Sequence, residues 1–192
     1  RSGVAAGRFS DPGLTYQWHY TNSGNNAFDK TNSTGETLAG SIAGCDVGCY
    51  EAWQKCTGDP SVIVAVLDDG VMYTHPDLAG NIWVNDKEEL YAGTDADGNG
   101  YKDDRYGYNF VHNTAAISWT DVSDIGHGTH VSGTIAAMNN GYGVCGIAGG
   151  DGTKDSGVKI MICQVFAGEN SVSLNGEAQA IKYAADNGAV LL

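Results

Sequence analysis

The chain predicts an α/β fold: a doubly wound, mostly parallel sheet with helices on both faces, incomplete within its 192 residues. Three observations carry that reading. Val62 to Leu67 and Val158 to Phe166 are short, continuous apolar runs with many β-branched residues, the pattern of strands buried on both faces. The segments from His127 onward and from Gly176 to Asn187 carry small residues at helical positions and read as helices packed tightly on a sheet. Strand, helix, strand, helix, strand with short links calls for right-handed crossovers, and these build an open parallel sheet.

Residues 1–60 are read as an amino-terminal arm with a short helix that packs on the domain, and residues 61–192 as the amino-terminal portion of a single domain. Positions 1–50 are rich in Gly, Ser, Thr and Asn with little periodicity; Tyr50 to Lys55 fits a short helix ending near Gly58. Pro60 and Gly70 bound the first strand. Residues 85–125 are polar, acidic and punctuated by glycine, a long loop of the kind that is functional or metal-bound. In the helix that starts at His127, Gly128, Ser132, Gly133, Ala136 and Ala137 permit close packing, and Ser123 or Asp124 is placed to cap it. Gly188 suits the C′ position of the second helix. Ala189 to Leu192 opens a third strand.

Hydrophobic content of 42% with 17% charged residues describes a globular chain. The net charge of −13, from 23 acids against 10 bases, argues against nucleic acid and anionic membrane as partners. The acids cluster locally, which favours bound cations. No run of 18 apolar residues is present. Arg1-Ser2-Gly3 lacks an apolar leader core and is read as a mature, processed terminus. A secreted, cell-surface or periplasmic protein is therefore expected. Of the five cysteines, the Cys45, Cys49, Cys56 cluster suits one disulfide or inert thiols better than zinc, for a CxxxC without a second pair is a weak metal signal.

Two segments carry chemistry. Asp68 follows the first apolar strand, where functional groups gather at the carboxyl ends of a parallel sheet, and Gly70 lets the chain turn sharply behind it. His127 stands at the mouth of a small-residue helix. A carboxylate that fixes the tautomer of an imidazole prepares it to take a proton from a serine hydroxyl. The second segment, Asp95 to Asp104, sets oxygen ligands at alternate positions with glycine at the fourth and sixth, the spacing of an EF-hand loop as far as its seventh position. Asp95, Asp97 and Asn99 side chains and the Tyr101 carbonyl are the ligands. Tyr106 replaces the usual twelfth-position glutamate, so Asp103 or Asp104 completes the shell, and calcium fits better than magnesium.

Val64-Ala65-Val66-Leu67-Asp68-Asp69-Gly70, followed by His75-Pro76-Asp77-Leu78, resembles the aspartate signature of the subtilisin family of serine proteases. His127-Gly128-Thr129-His130-Val131 resembles its histidine signature, in the Asp, His, Ser order established for subtilisin. Asp11-Pro12 through Gln17-Trp18-His19-Tyr20 resembles mature amino termini of kexin-like and bacterial members. The resemblance implies that Asp68 orients His127, which acts as general base and then general acid, and that His130 is not the base. It implies that Asp69, within the Asp-Asp-Gly of kexin-like members, borders the pocket for the second residue before the scissile bond and favours a basic one. Gln164 to Val172 resembles the edge that pairs with a polypeptide substrate. Phe166, Asn170, Ser171 and Val172 lie in it, and Phe166 with Val172 would shape an apolar pocket.

The family also implies a second calcium, held by Asp77, the Asn140 side chain and the carbonyls of Met138, Tyr142 and Val144, with Asp11 or Gln17 from the arm. Its oxyanion asparagine and nucleophile turn correspond to positions beyond Leu192, and neither Ser132 nor Ser171 to Ser173 is a credible substitute. The chain alone is thus expected to be inactive, with the serine on a carboxy-terminal fragment or a truncated segment. The alternative is a calcium-binding module that keeps the fold without catalysis.

Overall fold

A computed structural model describes residues 9–24 and 42–192. Strands β1 (Ile63–Asp68), β2 (Gly107–Asn109) and β3 (Lys159–Gln164) form a parallel sheet in the order β1-β3-β2. β1 and β3 pair along their whole length, from Ile63 opposite Lys159 to Asp68 opposite Gln164. Asp68 and Gln164 therefore emerge side by side at one end of the sheet.

The two-residue period of the strands divides the core. Val64, Val66, Ile160 and Ile162 pack on one face with Val131, Ile135 and Ala136 of helix α2 (His127–Ala136). Ala65, Met161 and Cys163 point the other way, against Ala180, Tyr183 and Ala184 of helix α3 (Leu174–Asp186). Helices thus cover both faces, as expected of a doubly wound sheet. Complete burial of a side chain such as Ile160 or Ile162 is worth about 1.5–3 kcal/mol, which makes β3 the axis of the domain. A third cluster fastens the arm: Phe9, Leu14, Tyr20, Cys49, Trp53 and Cys145 pack together, and the Tyr20 hydroxyl donates to the Cys145 carbonyl at 2.7 Å. The remainder of the arm, including Arg1-Ser2-Gly3, lies outside the described residues. Among the described residues, no helix is long and apolar enough to cross a membrane.

Several expectations need correction. The short helix spans Cys49–Ala52 (α1) rather than Tyr50 to Lys55. The segment 85–125 is not wholly loop, for it contributes β2. That strand has three residues and starts at Gly107, where a Cβ would lie 1.9 Å from the Ile162 carbonyl oxygen, so no apolar run announces it. The second strand ends at Gln164, and Phe166 instead enters a hairpin of β4 (Phe166–Ala167) and β5 (Asn170–Ser171). Ala189 to Leu192 contributes a single parallel bridge, Leu191 to Val64. The cysteines follow the thiol branch of the expectation, for all five are free; Cys49 and Cys163 are buried, and desolvation pushes them up to about 11 and about 12. Burial also raises Cys145.

Candidate active site

β1 delivers Asp68 to the carboxyl end of the sheet, and Gly70 (φ +92°) turns the chain so tightly that a Cβ there would lie 1.9 Å from the Ser118 carbonyl oxygen. α2 starts against this turn. Gly128 makes the approach possible, since a Cβ at that position would lie 2.2 Å from the Gly70 carbonyl oxygen. The consequence is a tight juxtaposition. Nδ1 of His127 lies 2.9 Å from both carboxylate oxygens of Asp68. A carboxylate only accepts, so Nδ1 carries the proton and the lone pair resides on Nε2. The Asp68 side chain is 15% exposed and that of His127 is 61% exposed, so the imidazole presents itself to solvent and to any incoming group. The hydrogen bond from Asp68, and then its charge, raises the His127 pKa.

The helix start is capped, though not by Ser123 or Asp124. Gly126 is the N-cap residue and offers no side-chain bond. Asp69 takes that role from across the cleft, accepting from the amides of His127 (3.2 Å) and Gly128 (2.6 Å). Both its oxygens thus bond amides at the helix start. Asp124 accepts instead from the amides of Asp121 (2.9 Å) and Gly168 (3.0 Å), tying the loop before α2 to the hairpin turn. His130 is exposed and lines a separate cavity of about 380 Å³ with His19 and His75. Ser132 is fully buried inside α2.

In the hairpin of β4 and β5, Phe166 is exposed, as are Asn170 and Ser171. Val172 is half-buried and packs on the core cluster that includes Ala180 and Tyr183 of α3, and its amide donates to the Val165 carbonyl. Ser173 caps α3 by accepting from the Gly176 amide. Gln164, fully buried, was not singled out in the sequence. Its Oε1 accepts from the Ser118 amide (3.0 Å), and Nε2 donates to the Ser118 hydroxyl (2.8 Å) and the Phe166 carbonyl (3.0 Å).

The acidic loop folds around Glu88, another residue that sequence reasoning missed. Glu88 is fully buried and accepts from the amides of Asp97 (3.0 Å) and Asp103 (3.2 Å). Oxygens of Glu88, Asp95 and Asp97 gather within 4.8 Å of one another. Asn99 donates from its side chain to Asp97 and to buried Asp104. Burial holds Asp104 above its ordinary value, and Asp97 and Glu88 add to the rise. The Tyr101 ring packs against Tyr108 and Tyr183. Asp103 bonds the Gly93 amide.

The second acidic group also assembles. Asp77 accepts from the amide of Val144 (3.0 Å) and the side chain of Asn140 (3.3 Å), and burial raises its pKa, with Asp11 adding to the rise. Asp11 Oδ1 accepts from the amides of Asn140 and Gly141, while its Oδ2 is buried without a hydrogen-bond partner. The Tyr142 amide donates to Asn140, and the Met138 carbonyl accepts from it. Gln17 is occupied otherwise: its amide group clamps both the N–H and the C=O of Cys145, fastening the arm.

The profile of the subtilase family matches residues 59–191. Subtilisin-like protease 1 of Plasmodium vivax is 45% identical over 106 residues, covering 54% of this chain and 15% of its own length. Aeromonas extracellular serine protease of Aeromonas sobria is 32% identical over 155 residues, 77% of this chain and 20% of its own. A crystal structure of the serine protease of Aeromonas sobria superposes with a TM-score of 0.60 at 27% identity, covering 99% of this chain and 26% of that one. The chain therefore spans about a fifth or less of the length of these two relatives. With Asp68 and His127 lying inside the matched region, the chain belongs to the subtilase family.

Proposed function

We propose that this chain supplies the acid and the base of a serine endopeptidase that hydrolyses peptide bonds through an Asp-His-Ser triad. The observation that carries the reading is the pairing of His127 Nδ1 with both Asp68 oxygens at 2.9 Å, on a largely exposed side chain. The serine and the oxyanion donors are assigned to a segment outside these 192 residues. In the first step Nε2 of His127 takes the hydroxyl proton as the serine oxygen attacks the scissile carbonyl carbon, and Asp68 steadies the imidazolium that results. The same proton passes to the leaving amine. A water molecule then repeats the sequence on the acyl-enzyme. The family match and the extracellular protease among the relatives support a secreted enzyme acting on polypeptides.

Calcium belongs to the same reading. The buried, unbonded Oδ2 of Asp11 beside Asp77 fits a divalent cation, as do the crowded oxygens of Glu88, Asp95 and Asp97. Asp11, Asp77 and Asn140 would hold one ion, and Glu88, Asp95, Asp97 and Asp104 the other. A bound ion neutralises the carboxylates and ties the arm or the loop to the domain. The complete protein should react with a fluorophosphonate and cleave an unfolded polypeptide. His127→Ala should abolish cleavage while leaving the melting temperature unchanged. Labelling equal to wild type in His127→Ala would refute the assignment.

A further inference from the structure

Consecutive residues at the end of β1 grip His127 in two ways. Asp68 holds the ring. Asp69 holds the backbone, with Oδ2 on the His127 amide and Oδ1 on the Gly128 amide. Amides at the start of a helix have no intrahelical acceptor, and here Gly126 supplies none. The turn that carries Asp69 is itself held: Asp69 N–H donates to Asp68 Oδ1 at 2.8 Å, the Gly70 carbonyl abuts Gly128, and Ser118 closes on Gly70.

We propose that Asp69 is a positioning residue for the reaction, a cap supplied in trans that fixes the helix start so that the His127 ring meets Asp68 in one geometry. This rests on the hydrolase reading above and deepens it. A carboxylate bonded to two amides at a helix start is also where the helix field favours negative charge. Asp68 and Asp69 are the charged groups that act on His127. Asp124, in the loop before the helix, is turned to the Asp121 and Gly168 amides, and His130 follows one turn along α2.

The test uses the complete protein with Asp69→Asn and Asp69→Ser. Loosening an imidazole by a fraction of an ångström should lower kcat roughly 10- to 100-fold with little change in KM. The titration midpoint of the His127 ring, followed by NMR, should fall in both variants because a negative neighbour is lost. The preference for the second residue before the scissile bond should stay as in wild type. A changed preference with an unmoved midpoint overturns the proposal, and so does an unchanged kcat. If Asp69→Asn fails to fold, Asp69→Ser, which keeps one acceptor, carries the same measurements. Should wild type not react with a fluorophosphonate, the hydrolase reading fails by itself, and a crystal structure of Asp69→Ser still decides the positioning role: a His127 ring displaced from Asp68 supports it, and a ring held as in wild type overturns it.

Discussion

Two groups of carboxylates in this molecule are built on opposite principles. At the carboxyl end of β1, each acid meets a donor that answers it: Asp68 the His127 ring, Asp69 two helix amides, Asp124 two loop amides. In the acidic loop, Glu88, Asp95, Asp97 and Asp104 crowd together, and their donors are neutral amides and hydroxyls. No ion pair among the described residues reaches them, and the guanidinium of Arg105 is spent on the Glu88 carbonyl oxygen. The first group is complete within the chain. The second carries unbalanced charge in a part-buried setting, which costs free energy until a cation joins it.

The strongest way to break the complete group is Asp68→Asn in the full protein. An amide in place of the carboxylate can hold the wrong tautomer with unchanged geometry, so kcat should fall by about 10⁴-fold while the melting temperature stays near wild type. Steady-state kinetics with circular dichroism checks both arms. A loss below tenfold would mean that Asp68 does not set the tautomer.

The incomplete groups should respond instead to chelation. With calcium at 100 times its dissociation constant, an ion that binds only the folded state adds about 2.7 kcal/mol. Adding EGTA should therefore lower the melting temperature by several degrees, with the arm released early to proteolysis. Asp11→Asn should remove part of that shift and leave the remainder to the acidic loop. An EGTA-insensitive melting curve would mean that neither group holds a cation that stabilises the fold.

Asp68 and His127 could be read directly because each sits at an element boundary with a one-dimensional signal: the end of an apolar strand and the mouth of a small-residue helix. Both helices and the two long strands were legible for the same reason. What escaped depends on contacts distant in sequence. Glu88 looks like a surface acid until the loop closes over it. β2 is a glycine-led triplet whose strand character comes from pairing along β3. Asp69 pairs with amides nearly 60 positions away, so its neighbours in the sequence offer no hint.

The link between the acidic loop and the sheet gives a smaller effect. Tyr183 on α3 donates to Asp104 at 2.7 Å, both being buried. Asp104 is also held by the amides of Asn85 (3.2 Å) and Asn99 (3.0 Å). Tyr183→Phe keeps the ring in its aromatic cluster and removes one bond to a carboxylate, a loss of about 1.5–3 kcal/mol. Denaturant unfolding should show this as a lower midpoint at constant slope, and calcium should restore part of it by taking up the freed lone pair. A midpoint equal to wild type would show that the amides alone satisfy Asp104.

The smallest effect separates the two groups by pH. Asp68 raises the His127 pKa, so the neutral imidazole that accepts a proton is reached at higher pH than for a free histidine. The acid limb of kcat/KM should accordingly lie above the ordinary imidazole range. The sign for stability follows from the same shift. A histidine whose folded pKa is raised adds stability below its unfolded pKa, and that increment disappears as the pH climbs through the folded value. Because the ring is largely exposed, the increment should be slight, visible only as a shallow decline of the melting temperature across this window that His127→Gln abolishes. The acid limb should not move on adding calcium, since the metal-ligand candidates belong to the other groups. A limb that shifts with calcium would mean that the two groups are coupled through the sheet.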